Sequence, residues 1–346
     1  MRRGPLSRIL IIYTGGTFGM NVSPTRSGAR LSVPRLSPES LAGDFRKQVP
    51  ELAQIANCEV DVLMNRDSAH LGPPEWCKIA DRIRSTWKNY RGIVILHGTD
   101  TLAYTASALS FLLRPCLKPV VLTGAQRPLS ALRNDARRNL VSAVEIASAG
   151  PRPLVNQVSV FFDDELLQGN RVHKRSATDY HAFESPHIDA LALVGTEIRY
   201  RSAKPVPRLS RPPILVPRFN PKVALIHVTP GFPAKAYSTH LLEQLEGIVL
   251  NVFPSGTAPT HDPEFMKFLR TASTRKLPVI VVTEGGTNAD PNTYEAGRGL
   301  LDEGCIWAGD MTTECCFVKA SLLLGQPDAQ RQFKKLWKIR FAGEAG

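Results

Sequence analysis

Short apolar runs alternate with longer amphipathic segments through the first half of the chain. The runs are apolar at nearly every position, which predicts strands buried on both faces of a parallel sheet. They lie at residues 9–12, 60–64, 93–96, 119–122 and 158–162. Between them, apolar residues recur at helical spacing, as with Trp76, Ile79, Ile83 and Trp87, and this predicts helices. The predicted helices span residues 38–49, 73–90, 102–113 and 133–149.

The regular succession of strand and helix predicts an α/β fold with a doubly wound, mainly parallel sheet and right-handed crossovers. A proline- and arginine-rich stretch at 204–218 follows, which predicts a stiff linker. A second, smaller α/β unit comes after it, with strands at 223–228, 247–253 and 278–282 and helices at 261–272, 295–303 and 312–324. We therefore predict an amino-terminal domain at 1–203, a linker at 204–218 and a carboxyl-terminal domain at 219–346.

Polar segments rich in Gly, Thr, Ser and Asp follow four of the predicted strands. The first reads Thr14-Gly-Gly-Thr17, and the others contain Ser68, Thr99-Asp100 and Thr123-Gly-Ala125. Because parallel strands end at one edge of their sheet, where open α/β folds bind ligands, these segments should lie together. Taken alone, the Thr17 stretch is explained more simply as an ordinary strand-to-loop turn with a capping threonine.

The residue types at this edge suit acyl transfer. A threonine hydroxyl is a weak nucleophile unless a base or a polarising group lies beside it. Lys174 sits in a polar segment predicted to be irregular, at 163–179, and a partly desolvated lysine can serve as that group. Thr17, Ser68, Thr99, Asp100 and Lys174 thus form a candidate cluster for reactions such as amide hydrolysis. His97 is interpreted as a structural hydrogen-bonding residue, and Asp310 and Glu314 as residues at a helix start.

Composition and charge narrow the class of protein. Of 346 residues, 43% are hydrophobic and 21% charged, as in globular proteins, and no apolar run reaches the roughly 20 residues of a membrane span. The six cysteines have neither C-x-x-C nor metal-site spacing. With no recognisable export signal, we expect reduced thiols in the cytoplasm, no metal site and no membrane partner.

The formal net charge is +12, which raises the possibility of nucleic-acid binding. Much of the excess lies in residues 198–242, which contain no Asp or Glu. Aromatic residues are not interleaved there in a stacking pattern. A solvated basic linker is therefore favoured over an RNA-binding surface, and no nucleic-acid partner is expected.

Four motifs resemble those of the bacterial-type L-asparaginase family, in its cytosolic branch. They are TGGTFGM at 14–20, ILHGTDTL at 95–102, VVLTGAQRP at 120–128 and GNRVHKR at 169–175. Their order and spacing also match, over nearly the whole chain. The resemblance implies hydrolysis of L-asparagine to L-aspartate and ammonia through an acyl-threonine intermediate, without a cofactor or metal. It further implies a homo-oligomer, a dimer or a dimer of dimers.

The resemblance also implies roles for single residues. Thr17 matches the nucleophile, while Thr99, Asp100 and Lys174 match the family's second catalytic set. Substrate-binding positions match Asp67 and Ser68 for the α-amino and α-carboxylate groups, together with Thr99 and Asp100. The backbone carbonyl of Ala125 matches the group that meets the side-chain amide.

Some positions depart from the family pattern. The family usually has a tyrosine in the loop after the nucleophile; Ala29 stands at that place, in a segment (21–33) predicted to be a mobile loop. Ala69 replaces a usual polar residue. Asn251 and Gly285 stand where some cytosolic members have the arginine and cysteine of an activating asparagine site, so we predict no such site.

Three alternatives remain open at this point. The first is a glutaminase-asparaginase, and the second is the ammonia-releasing subunit of a tRNA-dependent amidotransferase. That subunit usually carries an extra amino-terminal β-domain, for which the residues before Thr14 leave no room. The third is a catalytically weakened member that acts as a binding or regulatory protein, an option that Ala29 favours.

Overall fold

The structure is a computed structural model that describes residues 5–25, 28–32, 37–150, 155–201, 214–237, 239–286 and 289–346. The chain divides into two compact units. One comprises Met1–Ser185 with Asp189–Arg208, and the other Pro186–Ile188 with Leu209–Gly346. The domain limits at 203 and 219 stay predictions, and most of the linker predicted at 204–218 lies outside the described residues.

The first unit is built on one large sheet and two small hairpins. Its strands are β1 (Arg8–Gly15), β2 (Asn21–Thr25), β3 (Gly28–Ser32), β4 (Asn57–Arg66), β5 (Gly92–Leu96), β6 (Val120–Thr123), β7 (Val158–Phe162), β8 (Glu165–Gln168), β9 (His173–Lys174), β10 (Phe183–Glu184), β11 (Ala192–Val194) and β12 (Ile198–Tyr200). The sheet order is β4-β1-β5-β6-β7-β8-β11-β12. Strands β4 to β7 in this order are parallel, which confirms the predicted doubly wound sheet.

The far edge of this sheet corrects the prediction for residues 163–179. That segment is not irregular throughout, because β8 pairs antiparallel with β7 and β11 adds to β8 in the same sense. Strand β9 forms a short antiparallel hairpin with β10. The segment at 21–33, predicted to be a loop, contains the antiparallel β2–β3 hairpin.

The helices of the first unit are α1 (Pro38–Gln48), α2 (Leu52–Ile55), α3 (Pro73–Thr86), α4 (Leu102–Leu112) and α5 (Ala136–Ser148). Ser37 caps the start of α1, since its Oγ accepts the Ser40 N–H. The position before α4 is occupied by Thr101, whose side chain makes no capping bond. Thr99 and Asp100 stand before the helix and are not used to cap it.

The core of the first unit lies where the central strands meet helices. Every residue of β1 except Arg8 is buried, as expected for a strand covered on both faces. Beyond the strand, Phe18 is buried and packs edge-on against Phe45 of α1, with ring centroids 5.5 Å apart. This contact fixes the chain immediately after Thr17.

The second unit is a four-stranded parallel sheet with helices. Its strands, in spatial order, are β13 (Val223–His227), β14 (Gly247–Val252), β15 (Val279–Thr283) and β16 (Ile306–Trp307). Its helices are α6 (Thr239–Glu243), α7 (Pro263–Thr274), α8 (Glu295–Asp302), α9 (Thr313–Leu324) and α10 (Ala329–Trp337). Together with the first unit, this arrangement confirms the predicted α/β class.

The start of α9 was predicted only in part. Glu314 lies in its first turn, but the capping residue is Thr312, whose Oγ1 accepts the Cys315 N–H at 3.3 Å. Asp310 instead accepts the N–H of Gly346 at 2.9 Å.

Across the described ranges, no helix is both long and apolar enough to cross a bilayer.

Candidate active site

The candidate site lies at the carboxyl ends of β4, β1, β5 and β6, which are neighbours in the sheet. From β1 the chain runs to β4 on one side and then crosses to β5 on the other. This reversal makes the β1–β5 boundary the switch point of the sheet, where open α/β folds bind ligands. Thr17 follows β1, and Thr99 and Asp100 follow β5. The prediction that four polar strand ends share one edge is therefore confirmed.

Glycines allow these strand ends to approach one another more closely than side chains would permit. A β-carbon built on Gly16 would lie 2.4 Å from Gly98 Cα, and one built on Gly98 would lie 2.7 Å from Ser68 Oγ. Gly16 also has a φ of 87°, which favours glycine. The segments carrying Thr17 and Thr99 are thus packed backbone to backbone, and the Ser68 side chain lies against Gly98.

Two threonine hydroxyls tie the same strand ends together. Thr14 Oγ1 donates to the Leu96 carbonyl at 2.9 Å, and this bond is buried. Thr101 Oγ1 donates to the Ser68 carbonyl at 2.7 Å. Such bonds satisfy polar backbone groups that burial would otherwise leave unpaired, and they hold the strand ends in fixed positions relative to one another.

Lys174 reaches this edge from the β9–β10 hairpin. Its ammonium donates to Thr99 Oγ1 at 2.9 Å and to Asp100 Oδ1 at 2.6 Å. The Lys174 side chain is 15% exposed, whereas that of Asp100 is 68% exposed. Lys174 thus contacts both of the side chains with which it was predicted to act; Thr99 is buried, and the Asp100 carboxylate is exposed.

Thr17 begins a single 3-10 turn, Thr17–Gly19, and is half-buried. The turn is held by the Met20 N–H, which donates to the Thr17 carbonyl at 3.1 Å, and by the Leu129 N–H, which donates to the Phe18 carbonyl at 3.2 Å. Its position after Gly16 places Thr17 beside the Gly98–Thr99 segment.

The predicted substrate residues occupy distinct environments. Asp67 is exposed, and its Oδ1 accepts the Ala69 N–H at 2.9 Å, which caps the 3-10 turn Ser68–His70. Ser68 is 2% exposed. Ala125 is buried in the loop after β6. These positions surround the strand ends described above; their roles in binding stay predictions.

His97 is buried and makes structural hydrogen bonds, as its sequence context indicated. Nδ1 lies 2.7 Å from the Gly98 carbonyl and Nε2 lies 2.9 Å from Thr105 Oγ1. Because a carbonyl only accepts, Nδ1 carries the proton and Nε2 accepts from the threonine. Burial lowers the pKa of His97 to about 4, so the ring is neutral and supports the turn at Gly98.

Gln126, in the loop after β6, was not identified from the sequence as a residue that positions the site. Gln126 Nε2 donates to the Asp179 carbonyl at 3.0 Å and to the Ser176 carbonyl at 3.4 Å. It thereby connects the Ala125 segment to the residues after Lys174. Only its place in the VVLTGAQRP motif marked it in the sequence.

These features define an α/β protein with a threonine–lysine–aspartate cluster at the switch point of its larger sheet. The family models described as Asparaginase, N-terminal and Glutaminase/Asparaginase C-terminal domain match residues 8–206 and 222–337. The chain belongs to the asparaginase family, as its motifs predicted.

Individual relatives agree with this placement. L-asparaginase 1 of Escherichia coli K12 is 34% identical over 343 residues, which cover 97% of each chain. The 60 kDa lysophospholipase of Mus musculus is also 34% identical, over 94% of this chain and 60% of that protein. Among solved structures, the thermostable L-asparaginase from Thermococcus kodakarensis superposes with a TM-score of 0.82 at 32% identity, covering 98% of this chain and 99% of that one.

Proposed function

We propose that this protein hydrolyses L-asparagine to L-aspartate and ammonia. The observation that carries the proposal is the contact of Lys174 with Thr99 and Asp100 at the switch point, next to the turn that bears Thr17. A charged hydrogen bond from the ammonium polarises a buried threonine hydroxyl. Relatives named L-asparaginase over nearly the full chain support the same reaction.

In the proposed reaction, Thr17 Oγ attacks the carbon of the substrate's side-chain amide. The C–N bond then breaks, and the nitrogen leaves as ammonia with the proton from the hydroxyl. Water next cleaves the ester, which releases L-aspartate and restores Thr17. Thr99, Asp100 and Lys174 act as the group that moves protons and stabilises charge.

The substrate is held by groups around this centre. Asp67, Ser68 and Asp100 bind its α-amino and α-carboxylate groups, with Thr99 beside them. The Ala125 carbonyl accepts an N–H from the side-chain amide. Binding at both ends of a short amino acid would distinguish asparagine from the longer glutamine by the distance between them.

The test is ammonia release from L-asparagine and L-glutamine by the purified protein. Thr17→Ala should lower kcat/KM by about a thousandfold or more, and Lys174→Met by about a hundredfold to ten-thousandfold. Two surface variants, Thr274→Ala and Lys222→Met, are matched controls and should keep activity. Release from neither amide above the Thr17→Ala background would refute the proposal.

The same preparations separate the alternatives. Hydrolysis of both amides at similar rates would identify a glutaminase-asparaginase. Binding of asparagine without turnover would identify a regulatory member. Release of fatty acid from lysophosphatidylcholine, assayed in parallel, would point to the activity named for the mouse relative.

We further propose that the protein is a cytoplasmic homo-oligomer, a dimer or a dimer of dimers. All six cysteines are free, which suits a reducing compartment. Light scattering of the purified protein tests the oligomer, and cell fractionation tests the compartment.

The proposal that Asn251 and Gly285 leave no activating site predicts a hyperbolic dependence of rate on asparagine.

A further inference from the structure

Two residues hold the loop after β6, residues 124–127 (the Ala125 loop). They are Asp135, at the cap position of α5, and Asn139, inside that helix. The Asp135 carboxylate accepts the N–H groups of Gln126, at 2.9 Å, and Arg127, at 3.0 Å. Asn139 Nδ2 donates to the Gly124 carbonyl at 3.0 Å and to Asp135 Oδ2 at 3.2 Å. Asp135 is 4% exposed and Asn139 is fully buried.

A buried carboxylate is costly unless it is well hydrogen-bonded. Burial raises the pKa of Asp135, while the N–H groups of Gln126 and Arg127 pull it down. Both oxygens are used, one for each N–H. The carboxylate is therefore matched to two consecutive peptide groups of the loop.

The hydrogen bonds from the loop to the Asp135 carboxylate determine the direction of the Ala125 carbonyl. The Ala125 C=O and the Gln126 N–H belong to one planar trans peptide, in which the two groups point in opposite directions. Since Asp135 binds the N–H, the carbonyl is turned away from Asp135. Asn139 fixes the preceding peptide through the Gly124 carbonyl, so the backbone is set on both sides of Ala125.

The loop also lies against the candidate site. A β-carbon built on Gly124 would lie 2.4 Å from the His97 carbonyl and 3.6 Å from Thr99 Cγ2. Gln126 binds the carbonyl of Asp179, in the segment after Lys174. A shift of this loop would therefore move the carbonyl relative to the cluster.

We propose that Asp135 is a positioning residue that aims the Ala125 carbonyl at the leaving amide group of the substrate. The inference rests on the proposed function and on the role given there to Ala125. Asp135 itself touches neither the substrate nor the reacting atoms. Its effect should appear only with substrates that bring an N–H to the carbonyl.

The test compares two substrates that share the aspartyl group and differ in the leaving group. L-Asparagine has an N–H there, whereas the β-methyl ester of L-aspartate has an oxygen in its place. Asp135→Asn puts an amide NH₂ opposite one of the two loop N–H groups and so breaks the match. Displacement of a binding group by about 1 Å can cost about a hundredfold in rate, so kcat/KM for asparagine should fall about tenfold to a hundredfold.

For the ester, kcat/KM should change less than about threefold, as should inhibition by L-aspartate, so the ester-to-amide ratio rises at least about threefold. Asp164→Asn makes the same chemical change at an exposed carboxylate that binds Arg138 and should leave the ratio unchanged. If Asp135→Asn does not fold, Asn139→Ala, which frees the Gly124 carbonyl, carries the same expectation.

The outcomes separate this inference from the proposed function. Equal loss on amide and ester, or an unchanged ratio in an active Asp135→Asn variant, overturns the positioning role and leaves the proposed function standing. If the wild type hydrolyses neither compound, the proposed function fails and the positioning role falls with it.

Discussion

The last residues of the chain are attached to α9 by a fully buried ion pair. Lys319 Nζ lies 2.7 Å from Glu344 Oε1, and the two side chains are 1% and 0% exposed. The ammonium also donates to the carbonyls of Trp337 and Ile339, both at 2.9 Å. Among the described residues, the hydrogen-bond and ion-pair partners of Lys319 named here all lie in the segment after α9, so loss of the lysine should release that segment.

The size of the effect follows from burial. In Lys319→Met the Glu344 carboxylate stays buried and loses the ammonium, while it still accepts the N–H groups of Phe341 and Ala342, at 3.0 and 2.8 Å. Removing one partner of a buried pair costs about 3–5 kcal/mol. For the carboxyl-terminal unit, which contains the pair, roughly 2–4 °C per kcal/mol gives a fall in apparent Tm of about 6–20 °C.

The measurement is thermal unfolding, with hydrogen exchange of the amides at 341 and 342 as the local readout. The double variant Lys319→Met/Glu344→Gln removes both charges and should recover at least about half of the lost stability. Lys222→Met is the control, because its pair with Glu246 is exposed and worth about 0–1 kcal/mol. A Tm for Lys319→Met within error of the Lys222→Met value would refute the reasoning.

Three further outcomes are expected. Gly16→Ala should abolish activity, whereas Gly72→Ala, which meets nothing within 4 Å, should not; the β-carbon at Gly16 would clash with Gly98. His97 stays neutral in the folded protein but is protonated below about pH 6.5 in the unfolded chain, so the free energy of unfolding should decrease as the pH is lowered from about 6.5 to about 4. In His97→Gln the dependence of Tm on pH should be weaker over this range. Burial raises the pKa of Cys305 to about 12, so mass spectrometry after iodoacetamide treatment should find it unmodified until the protein unfolds.

Periodicity located elements well but not their limits. The apolar run at 60–64 marked β4, yet the strand extends over Asn57–Arg66. Its added residues are mostly polar or half-exposed, and they belong to the strand because β1 pairs with them, from Arg8 opposite Asn57 to Gly15 opposite Arg66. Pairing of this kind depends on a distant partner and leaves no local apolar signal.

The same limit explains the missed strands. Strands β8 and β9 lie in a polar segment whose local pattern resembles a loop. They form because β7 and β10 present open edges beside them. Lys174 is consequently held by a hairpin rather than by a loop.

The sequence by itself determined the α/β class, the polar strand ends and the motifs that carry the family resemblance, because these depend on local pattern and residue type. Tertiary structure alone decided which groups meet. Lys174 reaches Thr99 across 75 positions of chain, and Asp135 turns a peptide group that precedes it by nine. Both contacts depend on where strands end and how loops cross the sheet edge, which a linear pattern does not encode.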